Sequence, residues 1–418
     1  MNLKIIHKLH FMKIKSFSIQ NYRSLKSLEV PVFGDFTTIF YGDNNAGKSN
    51  VINALHLIFK RKHKFFEGNI TPVENFYQGV LIDTRNSYFE NLTSEKITFS
   101  VVIEIAVSAL KVSDLLQKLF KGKQKVEFTF SGTISYVESS ENDMSDFAIQ
   151  KISIDKDEIF VNTEELHFFP TLDKTKKNQS EFETAFTTII DVFNDCVYVI
   201  NSDRDMHETK MKDLEEVPLS SKDFKNFLYN LYLSPTKFKQ FEDINSVFSG
   251  PPFSFGSISF SKEFGNLEIM IKENEFRLPI KHLGSGILQC LYIVTGIICS
   301  KSNIICLEEP EQNLSPSKQY ELLKKIQGML ADEQSLLHQL IISSHSSVYS
   351  KPSLGTIYYL DKVKGKTEIT KVSTKAAKKK LLSHLILSFE PQTEYTKEEA
   401  EASYKEAMDL SRSLHDLR

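Results

Sequence analysis

The chain of 418 residues has few cysteines, little net charge and no long apolar run, and each shortage argues against a class of protein. Its four cysteines are widely spaced and form no CxxC pair or Cys/His cluster, which argues against a zinc site or a disulfide framework. A formal charge of -3 provides no overall positive field, so any contact with nucleic acid must be local. No apolar run reaches the roughly 18 residues of a spanning helix, and we expect a cytoplasmic protein without membrane contact.

Long heptad repeats are also absent, which argues against coiled-coil arms. The opening MNLKIIHKLHFMKIKSF carries charges between its apolar residues, so we expect no cleaved signal there, and Met12 is an alternative start. What the chain does have is 41% hydrophobic residues, enough for the core of one large or two moderate domains.

Strand and helix patterns alternate along much of the chain. KIKSFSIQNYRSLKSLEV alternates apolar and polar residues, FTTIFYG and NIICL are apolar runs that precede helical patterns, and FSFGSISFSKEFGNLEIMI is typical of a hairpin. We expect an α/β fold with a mainly parallel sheet flanked by helices, an N-terminal antiparallel β subdomain and a divergent mixed insertion. The expected parts are an N-terminal lobe at 12–64, the insertion at 65–195, a C-terminal lobe at 196–375 and a polar helical tail at 376–418.

The segment GDNNAGKS, residues 42–49, matches the phosphate-binding pattern G-x-x-x-x-G-K-[ST] between a predicted strand and a predicted helix. Its glycines let backbone N–H groups surround phosphate oxygens, Lys48 would bridge the β- and γ-phosphates of a nucleotide, and Ser49 would bind Mg²⁺. The residues expected to bind nucleotide here are Gly42, Asn44, Asn45, Ala46, Gly47, Lys48, Ser49 and Asn50.

The apolar run IICL ends on two adjacent carboxylates, Glu308 and Glu309, with a third at Glu311. Phosphoryl chemistry needs carboxylates at the end of a buried strand, one for the metal and one to orient the attacking water. Because the chain turns there, Glu308 can face Mg²⁺ while Glu309 faces the γ-phosphate, and the dication and Lys48 offset their repulsion. The alternative is a solvated acidic loop, and the apolar strand before it favours the catalytic interpretation.

Two further motifs could also contact a nucleotide phosphate. HLGSGILQ places Gly284, Ser285 and Gly286 at the start of a helix, a second terminus that can bind an anion. IISSHSS ends an apolar strand on His345, where the imidazole can reach a γ-phosphate. Alone, each motif also fits helix capping or a structural histidine, but their order and spacing with the first two favour one shared site.

The order GxxxxGKS, Gly-Ser-Gly helix, φφφφEEPE and strand-end histidine resembles ATP-binding-cassette ATPase heads, in the branch that includes RecF, SMC and OLD-type proteins. HLGSGILQ and LEEPEQNLSP are most similar to OLD-type and related prokaryotic antiphage ATPases, and the likeness covers residues 12–375. It implies a P-loop NTPase that hydrolyses ATP with Mg²⁺ as a homodimer or higher homo-oligomer. Residues 284–286 would contact the γ-phosphate of the other subunit, and residues 313–316 would cross the dimer seam.

The resemblance also implies individual roles. Glu308 would hold the metal, Glu309 would be the catalytic base and His345 the switch histidine. Three features depart from the pattern: Glu308 replaces the usual aspartate, the signature lacks a double glycine, and Gln78 is an uncertain match for the metal-sensing glutamine. Arg23 and Arg204 fit either the dimer interface or a surface salt bridge.

The residues after His345 leave no room for the Toprim nuclease that is fused to OLD-type heads. We therefore expect a regulator of a separate effector, a nuclease or toxin, in antiphage defence. A RecF-like ATPase in DNA repair is the alternative, and a transporter subunit is disfavoured. The basic runs KRKHK at 60–64 and KKK at 378–380 fit either DNA contact or a solvated surface.

Overall fold

The computed structural model describes most of the region between residues 12 and 373. The described residues are 12–59, 66–67, 71–72, 88–107, 120, 122–137, 144–155, 157–163, 166–168, 193, 196–202, 222–263, 266–273, 275–300, 302–332 and 335–373. The chain divides into two units, Met1–Ile369 and Thr370–Arg418. Several predicted features lie outside the described residues, namely Gln78, Arg204, both basic runs and the polar tail.

Eighteen strands and five helices make up the regular structure of the described residues. In the first half they are β1 (Met12–Tyr22), β2 (Leu25–Val30), β3 (Thr37–Gly42), α1 (Lys48–Phe59), β4 (Phe66–Glu67), β5 (Thr71–Pro72), β6 (Ile97–Ala106), β7 (Lys125–Val137), β8 (Met144–Ile154), β9 (Asp157–Thr163) and β10 (Leu166–Phe168). In the second half they are β11 (Val197–Ile200), α2 (Phe224–Leu233), α3 (Phe238–Ser249), β12 (Ser257–Glu263), β13 (Asn266–Glu273), β14 (Phe276–Pro279), α4 (Ser285–Cys299), β15 (Ile304–Glu308), α5 (Pro316–Ala331), β16 (Gln339–Ser344), β17 (Thr356–Val363) and β18 (Lys366–Lys371).

Seven strands form an antiparallel sheet in the order β10-β9-β8-β7-β6-β1-β2. In β6 every second residue from Ile97 to Ile105 is buried, because alternate side chains of a strand point to opposite faces. The predicted N-terminal antiparallel structure is confirmed. Its sheet contains β1 and β2 from the predicted N-terminal lobe and β6 to β10 from the predicted insertion. It therefore extends across the predicted boundary at residue 65.

A second sheet has the order β11-β15-β16-β3-β17-β18, and its first five strands are parallel. Every residue of β3, β15 and β16 is buried, as expected for parallel strands covered on both faces. The predicted mainly parallel sheet is therefore confirmed. The hairpin predicted within residues 253–271 is also confirmed: β12 and β13 form it, and β14 extends it to a sheet of three strands.

Buried contacts join the two large sheets. The fully buried amide of Gln339 in β16 accepts a hydrogen bond from Ile14 N–H at 2.9 Å and donates to the carbonyl oxygens of Ile14 and Gly34, each at 3.0 Å. The ring of Phe193 packs against Phe59 of α1 and Phe130 of β7, with centroids 4.7 and 4.3 Å away. In the described part of the chain, no helix is long and apolar enough to cross a membrane.

Candidate functional site

Three neighbouring strands of the parallel sheet end at the same edge. In the register of β15 and β16, Glu308 lies beside Ser343, and in that of β16 and β3, Ser344 lies beside Tyr41. Loops that follow parallel strands meet at their carboxyl ends, where α/β proteins place their ligands. The loop after β3, the carboxylates after β15 and the histidine after β16 are therefore neighbours, as the sequence predicted.

The loop between β3 and α1 packs closely against β17 and β18. Gly47 has a φ of 97° and Asn45 a φ of 67°, both in the left-handed region that favours glycine and asparagine. A Cβ atom on Gly47 would overlap Thr367 Oγ1, and one on Gly42 would overlap the carbonyl oxygen of Leu360. Both glycines are thus needed for packing against β17 and β18.

Lys48 begins α1, and only 4% of the residue is exposed. Its Nζ donates hydrogen bonds to the carbonyl oxygens of Gly42 at 2.9 Å and Asp43 at 2.7 Å. Burial lowers the pKa of the Lys48 ammonium group, while attraction to Glu309, Glu311 and Asp43 acts in the opposite direction. An ammonium group therefore lies inside the loop, within electrostatic range of the carboxylates that follow β15.

Two hairpins hold the outer side of this loop. Ser24, in the turn between β1 and β2, has its Oγ 2.7 Å from Thr367 Oγ1 in β18. Thr367 Oγ1 also donates to the Ala46 carbonyl oxygen at 3.1 Å, and Lys362 Nζ donates to Asn45 Oδ1 at 3.2 Å. Ser24 and Thr367 are 343 positions apart, so no local sequence pattern marks this support.

Some predicted residues of this region point away from the loop interior. Asn44 is exposed, and Ser49 is half-buried in the first turn of α1. Asn50 Nδ2 donates to Ser24 Oγ at 2.7 Å, and Asn50 Oδ1 accepts from Arg23 Nη1 at 3.4 Å. The structure thus directs the Asn50 side chain to the β1–β2 turn and places Arg23 beside it.

The two carboxylates that end β15 have different surroundings. Glu308 is 5% exposed, and its Oε2 accepts a hydrogen bond from Ser202 N–H at 3.3 Å, which draws this long side chain toward the end of β11. Glu309 has a φ of 41°, and its N–H donates to the Ser343 carbonyl oxygen at 2.9 Å. Glu309 Oε2 accepts from Gln312 Nε2 at 2.8 Å. The turn after the strand therefore separates the two like charges.

Glu311 belongs to this site, although the sequence patterns assign it no role. It is 6% exposed, and its Oε1 accepts hydrogen bonds from Ser344 Oγ at 2.8 Å and His345 N–H at 2.7 Å. The same oxygen lies 3.1 Å from His345 Nδ1, and the His345 side chain is 43% exposed. A buried carboxylate therefore ties the turn after β15 to the histidine after β16.

The predicted Gly-Ser-Gly turn is at the start of α4, as expected, but it is open. Gly284 has a φ of 103°, and a Cβ atom there would have no neighbour within 4 Å. Ser285 is exposed, whereas a Cβ on Gly286 would overlap the carbonyl oxygen of Asn313. Gly284 and Ser285 are therefore exposed at the start of α4.

A comparison with known families identifies the family of the chain. Residues 12–348 match the family model described as an AAA ATPase domain. The chain belongs to the AAA ATPase domain family. Because the match includes the loop at 42–49, the carboxylates after β15 and His345, it confirms that the chain is an ATPase with the expected α/β P-loop NTPase fold.

Two known proteins are similar in sequence to this chain. "Endonuclease GajA" of Bacillus cereus is 20% identical over 409 residues, which cover 82% of this chain and 55% of that protein. "ATP/GTP phosphatase" of Helicobacter pylori is 21% identical over 369 residues, which cover 80% of this chain and 86% of that protein. The chain thus spans about half the length of the first relative.

Solved structures also align with the chain. An SMC head bound to the C-winged helix domain of ScpA covers 88% of this chain, with 14% identity and a TM-score of 0.45, and the alignment spans 99% of that head. A TM-score below 0.5 does not establish a shared fold, so the fold assignment rests on the family match and the strand order.

The donor set of this AAA ATPase domain fits a Mg²⁺ ion that arrives with the nucleotide. Ser49 offers a hydroxyl at the start of α1, and Glu308 offers a carboxylate at the end of β15. In the described part of the chain, no group of three or more His, Cys, Asp or Glu side chains is arranged to hold a metal ion. Mg²⁺ commonly uses one or two protein ligands together with substrate phosphates and water, so a small donor set is sufficient.

Proposed function

We propose that two copies of this ATPase pair head to head and hydrolyse ATP, with Mg²⁺, at their interface. The main support is the contrast between two turns: the loop at 42–49 shares a sheet edge with the carboxylates and His345, whereas the turn at 284–286 is open. An open helix N-terminus presents N–H donors and a positive dipole end, which suit a phosphate held by another chain. Each subunit then completes the ATP site of its partner.

The proposed roles follow from the positions of the residues. Lys48 and the loop N–H groups bind phosphate oxygens, while Ser49 and Glu308 would hold Mg²⁺, which neutralises phosphate charge when bound. Glu309 accepts a proton from a water molecule as the water oxygen forms a bond to the γ-phosphorus and the bond to the ADP oxygen breaks. His345 contacts the γ-phosphate and holds it in line with the attacking water.

Paired heads make ATP a conformational switch. ATP binds the closed pair more tightly than it binds the single subunit, because residues 284–286 of a second copy contribute only in the pair. Hydrolysis through Glu309 removes the γ-phosphate contact and releases the partner. The free energy of ATP therefore serves to open and close the heads.

We further propose that this switch regulates a separate nuclease or toxin in antiphage defence. Two observations support this function: the motifs HLGSGILQ and LEEPEQNLSP resemble those of OLD-type antiphage ATPases, and the chain is similar to a protein named an endonuclease. The chain spans 55% of that relative's length. The closed pair of heads would present the surface that the partner binds.

Mixing two inactive variants tests whether the open turn acts on the other subunit. Lys48→Ala damages the loop at 42–49 and leaves the open turn intact, while Ser285→Arg does the reverse. We expect neither variant alone to hydrolyse ATP. The mixture should recover about a quarter of wild-type phosphate release, because half of the pairs are mixed and each has one intact site.

A matched mixture provides the control. Lys48→Ala and Glu309→Gln damage the same half of the site, so every pair formed from them lacks an intact site, and the mixture should stay inactive. If Lys48→Ala and Ser285→Arg also fail to restore turnover together, the turn at 284–286 acts within its own chain or not at all, and the paired-head proposal is wrong.

The alternative function is that of a RecF-like ATPase in DNA repair, favoured by the basic runs at 60–64 and 378–380. Binding to a labelled DNA duplex, measured with and without ATP at several salt concentrations, separates the two. A repair factor should bind DNA with an ATP-dependent affinity that falls steeply with salt, since each phosphate contact releases counterions. No binding at low salt would argue for the effector-linked function.

A further inference from the structure

The contacts of Glu311 connect the catalytic turn to the strand-end histidine. Its Oε1 accepts from Ser344 Oγ and His345 N–H and lies 3.1 Å from His345 Nδ1. Its Oε2 is also buried and accepts no hydrogen bond from the described residues. Desolvating a carboxylate is costly unless polar partners surround it, so these contacts offset part of the cost of burying the Glu311 side chain.

The position of Glu311 follows from the backbone around it. Glu309 N–H donates to the Ser343 carbonyl oxygen at 2.9 Å, which lays the turn after β15 against the end of β16. Glu311 N–H and carbonyl groups lie in the same turn, where Leu314 N–H donates to the Glu311 carbonyl oxygen at 3.0 Å. The turn that carries the proposed base Glu309 thus also delivers the carboxylate that meets His345.

The imidazole of His345 depends on this carboxylate for its orientation. The side chain is 43% exposed, so packing alone does not fix the ring. The two ring nitrogens of a histidine are distinct, and the partner of one determines what the other can do. With Nδ1 directed at Glu311, Nε2 is the nitrogen that remains available to the nucleotide.

We propose that Glu311 is a positioning residue, which holds Nδ1 of His345 so that Nε2 faces the γ-phosphate. Glu311 does not touch the substrate and acts through the histidine ring. Carboxylates that hold the second nitrogen of a metal-binding histidine have the same task, and their loss typically lowers activity 10- to 100-fold. This inference rests on the role proposed above for His345.

Two other roles of Glu311 are distinguishable from this one. As a second base, it would contribute to turnover whether or not His345 is present. As an anchor of the turn alone, it would affect folding or Glu309 and would again act independently of the ring. Only a positioning residue loses its effect when the ring it positions is removed.

A double-mutant cycle on the full chain tests this dependence. Glu311→Leu should lower kcat about 10-fold with little change in KM for ATP. Added to His345→Ala, it should lower kcat no further, because its effect passes through the ring. An equal loss in both backgrounds would overturn the proposal. Glu321→Gln is the matched control, since Glu321 pairs with Lys318 on the partly exposed side of α5 and should leave kcat unchanged.

Nitrogen-15 NMR of the histidine rings gives a readout that does not depend on turnover. The His345 signal, assigned by its loss in His345→Ala, should show a protonated Nδ1, and Glu311→Leu should abolish that state. Glu311→Gln keeps an acceptor oxygen, so it should retain the protonated Nδ1 and most of the turnover. If Glu311→Leu does not fold, Glu311→Ala replaces it, because alanine also removes the acceptor. An unprotonated Nδ1 in the wild type contradicts the role of Glu311, whereas full turnover of His345→Ala contradicts the role of His345.

Discussion

A Cβ atom added to Gly47 would overlap the Thr367 side chain, whereas one added to Gly284 would meet no atom within 4 Å. The two glycines have similar φ angles, 97° and 103°, and both immediately precede a helix. Their difference therefore lies in their surroundings. The first turn is enclosed by other parts of its own chain, while the second is open to another molecule.

The difference between the two turns predicts that ATP binding and the pairing of subunits depend on different residues. The enclosed turn has the Lys48 ammonium group, the left-handed Gly47 and the supporting contact of Thr367 within one chain. We therefore expect a single subunit to bind ATP. In the proposed pair, the open turn acts on the nucleotide that a second copy holds. Variants of the enclosed turn should therefore lose ATP binding, whereas variants of the open turn should bind ATP but fail to form the active pair.

The largest effect should come from removing the ammonium group of the enclosed turn. Lys48→Ala should weaken ATP binding about 100-fold, because charge-assisted hydrogen bonds to phosphate are lost. Glu309→Gln should behave in the opposite way: ATP binding persists, turnover is lost and closed pairs accumulate, since Glu309 acts after binding. Calorimetry measures the affinity, and light scattering after size-exclusion chromatography measures the pairing.

The control for this charge removal is Lys324→Ala, which removes an exposed lysine of α5 and should change neither quantity. Two results would contradict the assignments. One is an ATP-dependent pair formed by Lys48→Ala. The other is equal ATP turnover in the wild type and Glu309→Gln.

Features with local sequence signals were predictable. The spacing in GDNNAGKS and its place between a strand and a helix led to the enclosed turn, which the structure has between β3 and α1. The run IICL led to a buried strand that ends on Glu308. The parallel sheet followed as well, because apolar runs that alternate with helical patterns need cover on both faces.

The supports of the site were not predictable from those signals. Thr367 and Ser24 meet across 343 positions, and Gln339 bonds to Ile14 across 325. Glu311 was visible as a third carboxylate, but its contact with His345 exists only because the turn after β15 lies against β16. Periodicity reports which face of an element is buried, and it carries no information about the partner across that face.

An alanine at each glycine tests the surroundings directly. Gly47→Ala should lower the free energy of unfolding by about 3 kcal/mol, because backbone strain adds to overlap with Thr367 and Ser24. Gly284→Ala has the strain without the overlap and should cost about 1 kcal/mol. Urea unfolding of both variants measures the difference. Equal losses would mean that backbone conformation alone governs both turns.

A smaller effect than that of Gly47→Ala should come from removing the support behind the enclosed turn. Thr367→Val keeps the side-chain shape but removes the hydroxyl that contacts Ser24 and the Ala46 carbonyl oxygen. Loss of the hydrogen bond to the buried Ala46 carbonyl oxygen and of the contact with the half-buried Ser24 hydroxyl should lower the free energy of unfolding by about 1.5 kcal/mol and weaken ATP binding, since the loop loses its outer contact. Thr370→Val, at an exposed position of the same strand, is the matched control. If both valine variants retain wild-type stability and ATP affinity, the turn is held by its own backbone and by Lys48, and the enclosure by β18 is incidental to binding.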